Sequence, residues 1–131
     1  MLPQKNIMLE IIMGGLAMYD LQKKKGFIVI DGSGIINGEE ALAICEKIKG
    51  LLSSSNTQNI LVDTRRVNLE KSKFDIFINY LSRVKVKKIA LVLEELINRF
   101  KFSLWSRKYR PQIEIKQFNN LQGAKNWLKG E

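Results

Sequence analysis

A chain of 131 residues fits one domain, and at this size folding buries roughly two-thirds of the unfolded surface. Its 45% hydrophobic content excludes disorder as the default, and no stretch reaches the roughly 18 uninterrupted apolar residues of a membrane span. The charge of +9 attracts anions, and the lack of histidine removes the usual neutral-pH proton carrier and imidazole metal ligand.

Residues 1–13 are apolar without a clear period, an extension fit for an edge strand or a short helix. Lys5 before an apolar run gives the opening the look of a secretory leader. Glu10 interrupts that run, however, and no small-x-small cleavage pattern precedes "DLQKKK". With the single cysteine, Cys45, unable to form an internal disulfide, the expectation is a cytoplasmic protein. "LAMYDLQKKKGFIVIDG" predicts two strands joined by a Lys-rich turn that a glycine closes.

"NGEEALAICEKIKGLL" follows, with Ala41, Ile44, Cys45, Ile48 and Leu52 at helical spacing. Asn37 caps that helix and Glu40 is its reciprocal partner three residues on. Cys45 on the apolar stripe reads as a core thiol. "NILVD" predicts a second strand, and a helix follows from about Lys73 to Val84. "KKIALVL" predicts a third, with a helix from Glu94 towards Tyr109 carrying two acids in its first turn. "QIEIKQF" is the fourth apolar run, and "NNLQGAKNWLK" places Leu121, Ala124, Trp127 and Leu128 on one helical stripe. Alternation of this kind implies right-handed crossovers and a single α/β domain, its mixed, mainly parallel sheet covered by helices.

Candidate site residues cluster after "NILVD". Asp63, Thr64, Arg65 and Arg66 are expected just past that strand's carboxyl end, where open α/β sheets place ligand crevices. If the backbone stays extended, the two arginines alternate and one of them faces such a crevice. Ser72, with Asp75 three residues later, forms a capping pattern for the next helix. Its alternative is a phosphosite, where a helix N-terminus beside Lys71, Lys73 and Arg66 would tolerate a phosphate. In "EELINRFKFSLWSRKYR", Leu96, Ile97, Phe100 and Leu104 form a core stripe. Phe102, Trp105 and Tyr109 form a second stripe among cations, an interface candidate unless residues 1–13 cover it or the helix ends early. Ile76 and Tyr80 widen the apolar face of the preceding helix and are interface candidates as well.

Enzyme signatures are missing. "GSG" at 32–34 lacks the Gly-Lys-Ser/Thr ending of a phosphate loop, and Glu39–Glu40 and Glu94–Glu95 suit first helical turns. Residues 81–110 hold nine Lys and Arg against Glu94 and Glu95, a net +7, yet no nucleic-acid-binding motif accompanies that charge. Nucleic acid is therefore not the expected partner, and neither a metal nor a cofactor is expected.

"GSGII" before the first helix, "ILVDTR" at the second parallel strand and the ending "IEIKQFNNLQGAKNWL" together resemble the SpoIIAA-like fold. The resemblance is to small bacterial STAS-like proteins related to the CRAL-TRIO lipid-binding domains, and it runs from about Leu16 to Leu128. It implies a SpoIIAA-like (STAS-like) single domain over residues 1–131 and a non-catalytic regulatory module that binds a protein partner; the apolar faces of the two helices with interface candidates add self-association as a homodimer. The alternative it implies is a binder or carrier of a small apolar or anionic amphipathic ligand such as a lipid. Anti-sigma-factor antagonists of this kind carry a phosphorylatable serine at the helix after this strand, within Asp, Ser, Ser/Thr and Gly. Ser72 falls at that serine, but Lys71, Lys73 and Phe74 replace the other three.

Overall fold

The computed structural model describes residues 9–14, 17–35, 37–54, 57–68, 74–81, 83, 86–94 and 113–130. Six strands form one sheet: β1 (Leu9–Gly14), β2 (Ala17–Lys24), β3 (Phe27–Gly34), β4 (Asn59–Val67), β5 (Lys88–Val92) and β6 (Glu114–Phe118). Their order in the sheet is their order in the chain. β1 pairs with β2 and β2 with β3 antiparallel, and β3 to β6 pair parallel. Part of the unplaced N-terminal stretch is thus the edge strand β1. The turn between β2 and β3 is Lys25-Gly26, where Gly26 takes φ 92, a conformation that costs a side chain dearly.

Helix α1 (Gly38–Ser53) begins with the predicted capping box: the Asn37 side chain accepts from the Glu40 N–H, and Glu40 accepts from the Asn37 N–H. α2 (Phe74–Leu81) and α3 (Leu121–Leu128) complete the described helices. The predicted helix from Glu94 towards Tyr109 lies outside the described residues beyond Glu94 itself.

Strand alternation divides the apolar residues between two cores. On one face, Tyr19, Leu21, Ile28, Ile30, Ile60, Val62, Ile89 and Leu91 pack with the buried stripe of α1, and with Leu81 and the partly buried Ile76 and Tyr80 of α2. Cys45 belongs to that stripe; burial first, and then the Glu46 charge, push its thiol up to about 12, so it is a packing residue at neutral pH. On the other face, Phe27, Leu61, Ala90 and Val92 pack under Ala124 and Leu128 of α3, with Phe118, Leu121 and Trp127 partly buried around them. Gly123 lets the helix approach: a Cβ there would stand 3.3 Å from the Phe118 ring. The Asn59 amide ties the end of α3 to β4 through the Leu128 carbonyl.

Candidate functional site

β4 does not stop at Asp63. It continues to Val67 because β3 runs on to Gly34, and the two keep pairing through Ser33↔Arg66 and Gly34↔Val67. The register shifts between Asp31/Ser33, so β4 carries one extra residue there, a bulge. Asp63, Thr64, Arg65 and Arg66 therefore lie on a strand rather than beyond one.

The bulge also corrects the expected alternation of the arginines. Asp31 and Asp63 are register partners in a parallel pair and share a sheet face, the face that α3 covers further along. Arg65 grips Asp63 through two side-chain hydrogen bonds, Nε to Oδ1 at 2.9 Å and Nη2 to Oδ2 at 2.7 Å. Its backbone N–H donates to the same Oδ1 at 3.1 Å. Arg66 reaches back across the sheet to Asp31, Nη2 to Oδ1 at 2.8 Å. Strict alternation would have sent one guanidinium to the opposite face. The extra residue lets both meet carboxylates of a single row.

That row continues into β2, where Asp20 stands opposite Asp31. Like charges directly across an antiparallel pair repel, and the Arg66 contact offsets part of that cost. Gln22 Nε2 donates to Asp20 Oδ2 at 3.3 Å, while Asp20 Oδ1 is buried with no hydrogen-bond partner among the described residues.

Asp63 is only 6% exposed. Burial alone would raise its pKa. The side-chain and backbone hydrogen bonds from Arg65, with the charges of Arg65 and Arg66, outweigh burial and hold the carboxyl below its ordinary value. The hydrogen bond to Asp63 in turn raises the Arg65 guanidinium, with Glu94 and Asp31 adding to the field. Arg66 is raised mainly by its hydrogen bond to Asp31. Its side chain keeps 65% of its surface in solvent, so its stem is reachable from outside. Thr64 points its chemistry inward: it is buried, and its hydroxyl donates to the Val92 carbonyl at 2.8 Å, pinning β4 to β5.

Ile76 and Tyr80 sit at the contact between α1 and α2. A Cβ on Gly38 would be 3.4 Å from Ile76, and the Tyr80 hydroxyl donates to Glu46. That bond raises the phenol above its ordinary value. Ser72, Phe102, Trp105 and Tyr109 lie outside the described residues. Among the described residues no group of three or more Asp, Glu, Cys or His is placed to hold a metal ion, and no helix is long and apolar enough to cross a membrane.

Sequence reasoning does not single out Asp31 or Asp20, and it gives Glu94 only as an acid at a helix start. A signal for Asp31 is present: "IVID" and "ILVD" are matching apolar runs that each end in aspartate, and parallel pairing in register sets the two acids side by side.

Comparison with known proteins agrees with this architecture. The SpoIIAA-like family model matches residues 27–129. An uncharacterized protein from Shewanella loihica PV-4 with a SpoIIAA-like fold superposes with a TM-score of 0.59 at 15% identity, covering 94% of each chain. An anti-sigma factor antagonist from Mycobacterium paratuberculosis gives 0.59 at 12% identity, over 86% of this chain and 94% of that one. The anti-sigma factor antagonist SpoIIAA in its unphosphorylated form gives 0.55 at 12% identity, over 95% of this chain and all of that one. No curated protein sequence matches the chain. The family match covers well over half of the residues and takes in β3 to α3 whole: this chain belongs to the SpoIIAA-like family.

Proposed function

We propose that this chain is a non-catalytic regulatory module that works by binding protein, a second copy of itself included, at the carboxyl end of β3 and β4. The observation that carries this reading is the state of the charged row. Asp63 is held ionised and fully engaged by Arg65, and Arg66 is bonded to Asp31. A general acid or base needs a pKa near the working pH and a proton to exchange, and here the shift runs the other way. Groups fixed in this manner make a rigid, charged recognition surface, with Arg66 its most accessible member. Two solved proteins of the same fold are described as anti-sigma factor antagonists, a role performed by protein binding, which supports the reading in kind.

Native mass spectrometry of the purified protein tests it. The expected species is a homodimer whose share grows with concentration, and Arg66→Glu is expected to weaken it by about tenfold or more while the fold survives. A monomer that carries a copurified lipid would replace this reading with the ligand carrier. A concentration-independent monomer without a lipid would remove self-association from it.

A further inference from the structure

β6 is paired with β5 on one side, and among the described residues no strand pairs with its other side. In a parallel ladder each residue turns its N–H and C=O to the same side, and successive residues alternate. The Glu114 N–H donates to the Lys87 carbonyl at 2.9 Å, and the Phe118 carbonyl accepts from the Leu93 N–H at 2.9 Å. Residues 114, 116 and 118 thus spend their backbone groups on β5, and Ile115 presents its own to the outer edge. Such an edge is a template for one more strand.

Two lysines with no carboxylate partner among the described residues stand beside that edge, and Glu114 is the acid on β6 itself. Lys116 stands exposed at the middle of β6, its Nζ 5.7 Å from the Phe118 ring centroid and 6.0 Å from that of Trp127. Lys88 Nζ lies 5.0 Å from the Trp127 centroid. The two rings are 5.7 Å apart and packed against the α3-side core, so they form a fixed platform that holds two ammonium groups in place. Neither lysine has a carboxylate within ion-pair distance among the described residues. Glu114, the register partner of Lys88, is exposed and makes no ion pair with it.

We propose that the outer edge of β6 takes an extended acidic peptide segment of a partner protein. Its backbone pairs with Ile115, and its carboxylates seat on Lys116 and Lys88 beside Trp127. Two observations favour that occupant over a nucleic acid or a bilayer. The rings already carry ammonium groups, which disfavours them as stacking platforms for bases. Neither a polynucleotide nor a bilayer can use the Ile115 donor and acceptor in strand register. A second copy of β6, which paired antiparallel about Ile115 would set Glu114 against Lys116, is the remaining rival. A homodimer by sedimentation that Lys116→Glu abolishes would overturn the proposal. β5 lies between this edge and the strand that carries Arg66, so either surface can fail without the other.

The probe is a fluorescein-labelled peptide of alternating valine and glutamate, titrated into the intact protein and followed by anisotropy. Saturable binding with a Kd of about 1 mM or tighter is expected, with at least about a tenfold loss in Lys116→Glu and recovery in Lys116→Arg. Amide exchange at Ile115 is expected to slow in the complex. The same peptide with lysine in place of glutamate is expected not to bind. Binding that leaves Ile115 exchange unchanged would show a charged surface without strand addition and overturn the proposal. So would the absence of saturable binding, or equal binding by a Lys116→Glu protein whose circular dichroism is native. Preferential binding of an oligothymidylate or of phosphatidylglycerol vesicles through Lys116 and Lys88 would assign the patch to another class of partner and overturn it too.

Discussion

Asp63 is where two opposed effects meet, and their balance sets how the protein answers pH. Its folded pKa is depressed, so the stability it contributes is in full above the ordinary carboxylate range and is lost as pH falls through the lowered value. Replacing Arg65 with Ala strands a buried carboxylate with its backbone bond alone, and is expected to cost about 1–3 kcal/mol near neutral pH. The deficit should shrink as the pH drops towards about 4, because a stranded carboxyl can then take up a proton while the native pair gains nothing further. Urea melts of both proteins at neutral and acid pH measure this. A deficit that does not change with pH would place the Arg65 effect in packing. At this scale the sequence shows the acid and both arginines of "DTRR" but not their partners. Arg66 meets Asp31, 35 positions away, only through the register of two parallel strands and a bulge, neither of which is a local property.

Elements are more legible than contacts, and their ends less legible than their centres. The α1 stripe of Ala41, Ile44, Cys45 and Ile48 is buried as its period requires, with Leu51 completing it and Leu52 partly covered. The cap at Asn37 was readable because it depends on residues three apart. Asn37→Ala is expected to destabilise by about 1 kcal/mol, and a thermal or urea melt checks it. A loss near zero would mean that water satisfies the freed Glu40 N–H. β4 outruns "NILVD" by four residues because its length is decided by β3, its neighbour, and not by its own apolar run. β1 was ambiguous for a different reason: a short apolar run with no clear period fits a strand or a helix, and pairing with β2 resolves it.

For the whole molecule, "ILV" and "IALV" read as continuous apolar runs because β4 and β5 are covered on both faces, by α1 and α2 on one and α3 on the other. The mixed sheet follows from two leading strands and the alternation of strands and helices after them, so the sequence carries the architecture more plainly than any role. Leu128→Ala, which removes a buried anchor of α3, is expected to cost about 2–5 kcal/mol by urea melt. A smaller loss would show that Trp127 and Leu121 hold the helix unaided. The strand order has a further consequence, for synthesis. Since every strand neighbours the one before it in the chain, a nascent polypeptide can add each strand to a partner already made, without reopening the sheet. Yet among the described elements only α3, downstream of all six strands, covers Leu61, Ala90 and Val92 on the second face, and it is the last of them to leave the ribosome. A chain cut short before Leu121 would carry a finished sheet without the apolar cover that α3 gives Leu61, Ala90 and Val92, a mark by which chaperones and proteases could tell the fragment from the full product.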